Sequence, residues 1–224
     1  MRSVLLLLLP AALLTADPAG ATAAVRITGQ ADADAHLATT MAARPDGAAP
    51  QAQYAWLAEV YSAAFAARAY GRAETAARAM LALWPGSWPA HSNLSVALGK
   101  QGRYDEALRE AEIAVLLAGP ASIHPEAVAC SWLLHLGRRD EAMARFAAIP
   151  RPDDGHERRL YLGCKACFLA SAGDPVALEA AIREALADDP DGANRGFIAR
   201  DAVFDPYRGA PWFTALVGST LAAP

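Results

Sequence analysis

Lysine is almost missing from this chain: Lys100 and Lys165 stand against 18 arginines, and with 24 acidic residues the 224-residue sequence carries a net charge of −4. That balance excludes the broad basic surface with which a general nucleic-acid binder grips phosphates. Cysteine is scarce as well. Cys130, Cys164 and Cys167 are an odd number at irregular spacing, which argues against a disulfide framework. No apolar run reaches the ~20 residues of a membrane-spanning helix; the longest, Val4 to Leu14, is broken by Pro10 and stops before Thr15. Aromatic residues are only 8% of the chain, and its 16 glycines and 15 prolines are dispersed, whereas alanine fills 56 positions. Such a composition favours helix over strand, in a chain long enough to build a core without metals or staples.

The motifs of common chemistries are missing too. The sequence has no glycine-rich phosphate loop, no Gly-x-Ser-x-Gly elbow and no His-Glu-x-x-His pair. Its five histidines are scattered; His124 and His135 share a helical face but stand ~16 Å apart along it, too far for one ion. Asp32-x-Asp34-x-His36 lacks the glycine and distal glutamate of a calcium loop. No metal, cofactor or catalytic residue is expected. Cys164-Lys-Ala-Cys167 is the sharpest local motif, and it admits a thiol-redox reading, an incidental disulfide, or a pair of small buried thiols. Redox pairs of this type open a helix that follows a strand; here the residues from Glu157 onward already read as helix, which favours buried thiols.

At the N-terminus, Arg2, an apolar stretch of about eleven residues and the small-residue sites Ala19-Gly-Ala21 and Ala21-Thr-Ala23 follow the order of a secretory signal. Residues 1–23 are read as that signal, cleaved after Ala21 or Ala23; an N-terminal helix that stays on the protein is the alternative. Alanine and arginine in place of lysine fit a GC-rich bacterial genome, so a periplasmic or secreted location follows. Residues 24–53 read as a linker with one weak helix from Gln30 to Ala43, its inner face formed by Ala33, Leu37 and Met41.

From Tyr54 onward amphipathic helices alternate with short breaks at a fixed period. Val60 recurs as Leu94, Tyr70 as Tyr104, Ala73 as Ala107 and Ala77 as Ala111, each 34 residues on; Gly102 recurs as Gly137 after 35 residues and as Gly173 after 36 more. Repeats of this length are helix-turn-helix units that bury their apolar faces on copies of themselves. The stretch from Asn93 to Leu108, with the large-small pair Leu94-Ser95, the turn at Gly102, and Tyr104 and Ala107 beyond it, resembles a tetratricopeptide repeat. Leu136-Gly-Arg-Arg-Asp-Glu-Ala142 repeats the turn, Phe146 holds the large second-helix position, and Trp84-Pro85 and Gly119-Pro120 stand where such repeats end.

The resemblance implies an all-α chain wound as a right-handed superhelix, with repeats at 54–87, 88–121, 122–157 and 158–190. Pro150 cuts the second helix of the third repeat short, and the fourth fits only with a shift of register. Residues 191–224 are read as a C-terminal cap in which Pro211 opens a helix carrying Trp212, Phe213 and Leu216 on its apolar side; an aromatic docking patch is the alternative. In this family the first helices line a concave groove. The matching positions imply a partner-binding face formed by Ser62, Phe65, Ser92, Val96, His124, Ser131 and Leu134, small and nearly uncharged; equally, such residues only permit tight curvature. The expected function is that of a non-catalytic, exported adaptor for a protein or peptide partner. A structural accessory of an envelope or secretion complex, and a redox protein using Cys164 and Cys167, are the alternatives.

Overall fold

The computed structural model describes residues 30–45, 47–119, 122–153, 155–187, 189 and 192–218, so the segment read as a secretory signal lies outside the described residues. Among those described, regular structure is helical throughout. The chain forms two compact units, one ending at Ala118 and the other beginning at Gly119. The first holds α1 (Gln30–Ala42), α2 (Pro50–Ala66), α3 (Tyr70–Leu83), α4 (Trp88–Lys100) and α5 (Tyr104–Ala118), each packed on the next. The second holds α6 (Ile123–His135), α7 (Arg139–Ala147), α8 (Gly155–Ala172), α9 (Pro175–Ala187), α10 (Ala193–Arg200), a 3-10 turn (Ala202–Tyr207) and α11 (Pro211–Val217). There α6 packs on both α7 and α8, α8 on α9, and the C-terminal elements on α8 and α9.

Alanine-rich stretches form these helices, and local chemistry sets their ends. Pro50 opens α2 where a missing N–H costs nothing. Ser87 caps α4 by accepting from the Ala90 amide at 3.3 Å, and Asp174 caps α9 by accepting from the Ala177 amide at 3.0 Å. The turns inside the helix pairs share one backbone form. Arg68, Gly102, Gly137 and Gly173 all take left-handed φ values, of 55°, 80°, 75° and 73°. The amide after each reaches back five residues to a helix carbonyl: Ala69 to Ala64 at 2.8 Å, Arg103 to Leu98 at 3.1 Å, Arg138 to Leu133 at 2.9 Å and Asp174 to Leu169 at 3.4 Å. This bond satisfies a carbonyl that the helix end leaves open. Four helix-turn-helix pairs thus follow one pattern, a helical repeat-like architecture.

Within a pair, small residues let the helices approach. Ala73, Ala77, Ala107, Ala111 and Ala142 are fully buried, and the Ser95 hydroxyl donates to the Ala107 carbonyl at 2.7 Å across the α4–α5 seam. In the fourth pair the corresponding position is taken by buried Leu178. Phe146 stacks on Phe168 with ring centroids 4.3 Å apart, filling the space left by the short α7. Polar pairs fasten first helix to second at one sequence separation. His91 faces Glu110 at 2.7 Å, Glu126 faces Arg145 at 2.7 Å, and Lys165 faces Glu184 at 3.1 Å.

Several elements depart from the reading of the sequence. The helix α1 is packed against α2: the Trp56 indole donates to the Thr40 carbonyl at 2.8 Å and Gln30 donates to the Ala67 carbonyl at 2.9 Å. Its inner face is Ala33, Leu37 and Thr40, while Met41 is 42% exposed. The long α2 starts at Pro50 rather than Tyr54, because a proline is favoured at the first helical position. In the C-terminal segment Phe204 and Phe213 are buried, whereas Trp212 and Leu216 keep part of their surface in solvent. The Tyr207 hydroxyl donates to the Ala170 carbonyl at 2.9 Å, so this segment closes the end of α8 by a hydrogen bond as well as by apolar contact.

Candidate functional site

The residues expected to line a groove lie mostly inside the units. Phe65 is 3% exposed and sits between Tyr61 and Tyr70, with ring centroids at 5.9 and 5.2 Å. Ser92, Val96, His124 and Ser131 are buried as well. Only Ser62 and Leu134 keep intermediate exposure. The Ser62 and Ser131 hydroxyls are spent on their own helices, donating to the Ala58 carbonyl at 3.0 Å and the Ala127 carbonyl at 2.9 Å. A seven-residue contact surface for a partner is therefore corrected: five of these side chains are core. The physical reason is that Ser92 and Ser131 are small enough for neighbouring backbones to close over them, while Phe65 and Val96 are apolar side chains whose burial is itself favourable. Burial holds the His124 imidazole down to about pKa 4, so this side chain is neutral at physiological pH.

Cys130, Cys164 and Cys167 are buried thiols outside any disulfide. Cys164 and Cys167 lie in the second half of α8, away from its N-terminus. Burial pushes the Cys164 thiol up to about 12, the opposite of the shift that makes a thiol reactive.

The first unit contains a concave feature that the sequence did not suggest. An open cavity of about 260 Å³ lies between the α1–α2 loop, α2 and α3. The loop supplies Arg44, Pro45 and Gly47; α2 supplies Gln53, Trp56 and Leu57; α3 supplies Ala79, Ala82 and Leu83. The Arg44 guanidinium stands over the Trp56 ring, 6.0 Å from its centroid. The indole is fixed by its bond to Thr40, and the Gln53 amide by a bond to the Ala48 carbonyl at 2.6 Å. Arg44 and Trp56 are twelve residues apart with a loop between them, and only the packing of α1 on α2 brings them together. A signal for the place did exist: Trp56 is the one tryptophan of α2 and lies in the half of the helix nearer the loop.

No family model matches the chain, and neither a curated protein nor a solved structure is similar to it.

Proposed function

We propose that the chain is an exported, tetratricopeptide-like adaptor that holds a protein or peptide partner in the bacterial cell envelope, with its helix pairs stacked as a right-handed superhelix. The observation that carries this reading is the turn that recurs four times, at positions 68, 102, 137 and 173, with the same left-handed backbone and the same five-residue back-bond. A chain that spends its length on repeating one helix pair builds surface rather than a reaction centre, and repeat scaffolds are used in that way. The high thiol pKa of Cys164 supports a binding role over thiol-redox chemistry. In this reading the partner rests on the row that α2 leaves open, Ala55, Ala58, Glu59 and Ser62, where exposure is intermediate or full. With one charge in that row, binding weakens little as salt rises.

Among the described residues no helix is long and apolar enough to cross a membrane. Export rests on the order of basic, apolar and small residues in positions 1–23. The test is capture from the native envelope, joined to the intact mass of the captured chain. The expected result is a stoichiometric partner, lost with Ser62→Arg, and a mature mass lacking 21 to 23 residues in accord with the small-residue sites. A chain that retains Met1 to Ala21 in the native fraction defeats the export reading, and a chain recovered alone defeats the adaptor.

One observation favours a second reading, a structural accessory of an envelope complex docked through α5. Ile113, Leu116 and Leu117 are 38%, 81% and 45% exposed and fall at helical spacing, forming an apolar row on that helix. Loss of the complex with Leu116→Glu but not with Ser62→Arg selects this reading.

A further inference from the structure

We propose that the cavity between the α1–α2 loop, α2 and α3 is a binding site for a small monocarboxylate with an apolar body, with Arg44 as the residue that selects the carboxylate. This site lies within the first unit and stands whether or not the adaptor reading does.

Three side chains with polar groups line the cavity, Arg44, Gln53 and Trp56. The Trp56 indole N–H is used by the Thr40 carbonyl, and the Gln53 amide is anchored through one N–H to the Ala48 carbonyl, so both side chains are held in place and neither carries a charge. Arg44 differs. Its guanidinium is stacked over Trp56, and no carboxylate among the described residues pairs with it. A guanidinium presents five donors in a planar fork, and stacking on a ring face leaves its edge free for a bidentate contact to a carboxylate.

The remaining lining is apolar. Trp56, Leu57, Ala79 and Leu83 are each only partly buried, because the cavity leaves their inner faces open to water. Covering such surface is favourable by ~25 cal/mol per Å². A hydrocarbon alone would cover it and leave Arg44 unused; an inorganic anion would pair with Arg44 and leave the apolar surface wet. A molecule with a carboxylate at one end and an apolar chain or ring at the other answers both demands. At about 260 Å³ the cavity is below the range of drug-sized pockets, so the molecule it takes is small.

Hexanoate serves as the probe, with 1-hexanol as its neutral counterpart, added to the full chain carrying ¹⁵N-labelled tryptophan. The five indole signals include that of Trp56, assigned by its loss in Trp56→Phe. Hexanoate is expected to move the Trp56 signal in a saturable way and to bind at least tenfold more tightly than 1-hexanol. Arg44→Gln, an exposed change, is expected to weaken hexanoate at least tenfold, to leave 1-hexanol unchanged and to leave the urea midpoint where it was. Ala79→Leu, which fills the cavity from α3, is expected to weaken both. Equal affinity for the two probes, full hexanoate affinity in Arg44→Gln, or a saturable shift at other indoles with Trp56 unmoved would each overturn the assignment.

Discussion

Arg68 and Gly102 occupy the same place in successive turns, 34 residues apart, and both have left-handed backbone, with φ of 55° and 80°. An L side chain pays for that conformation with a clash between its Cβ and the backbone, which glycine avoids. A Cβ added at Gly102 would meet nothing within 4 Å, so the difference between the two turns is conformational alone. Arg68→Gly should therefore raise stability by ~1 kcal/mol, and Gly102→Ala should lower it by about as much. Urea midpoints of the two variants, compared at unchanged m-value, check both signs. A neutral result at Arg68 would show that the first turn is relaxed by some other contact.

Ala107 is fully buried and its carbonyl accepts the Ser95 hydroxyl. Ala107→Asp would place a charge at a close helix crossing and should cost ~3 kcal/mol or more. Ser95→Ala removes only the hydrogen bond and should cost ~1 kcal/mol. Chemical denaturation of both variants tests the seam, and a wild-type midpoint for Ala107→Asp would be incompatible with it.

Phe65 belongs to the core of the first unit, packed by Tyr61 and Tyr70. Phe65→Ala should lower stability by ~3 to 5 kcal/mol, since deleting a buried ring loses both its transfer energy and its packing. A melting temperature equal to that of the wild type would return Phe65 to the surface.

His124 gives the chain an acid limit. Its folded-state pKa lies near 4, below the unfolded value of about 6.5, so the unfolded chain takes up a proton that the folded chain refuses. The contribution is fully present above pH ~6.5 and is lost as pH falls toward 4, by up to about 3 kcal/mol. Urea melts at pH 7, 5.5 and 4 should show this fall, and His124→Gln should flatten it. An equal slope in the variant would assign the acid loss to carboxylates.

Thiol titration gives a fifth test. With Cys164 raised toward 12 and its two companions buried, alkylation of the folded chain at pH 8 should be far slower than after denaturation, when all three thiols react. Fast native labelling, or insulin reduction abolished by Cys164→Ser, would reverse the reading of the motif.

The periodic glycines and alanines made the helix pairs legible, because Gly102, Gly137 and Gly173 mark a backbone form that few other residues adopt and Ala73, Ala107 and Ala142 mark the crossings. The first turn carried no such mark, since Arg68 takes the form without being glycine. The inner face of α1 ends on Thr40 rather than Met41 because a threonine can turn its hydroxyl onto its own helix: Thr40 donates to the His36 carbonyl at 2.9 Å and is buried, leaving Met41 outside. A repeat pattern gives each side chain of the first helices a position on its helix, and that position does not say how closely the next helix stands. The cavity was hidden for a different reason: its walls come from a loop and two helices whose residues share no pattern in sequence.

The fastenings His91–Glu110 and Glu126–Arg145 sit at matching places, each member 35 residues from its counterpart, yet their chemistry is reversed: the basic partner is on the first helix in one pair and on the second helix in the other. Both seams cross at a fully buried alanine, Ala107 in one and Ala142 in the other, so that crossing alone does not tell the helices apart. If α4 closed on α7, His91 would meet Arg145; if α6 closed on α5, Glu126 would meet Glu110, carboxylate against carboxylate. Either exchange gives up a native polar pair, and the second sets two carboxylates together. The α4–α5 and α6–α7 hairpins thus carry opposite addresses, while α8–α9, with Lys165 facing Glu184, repeats the polarity of α4–α5.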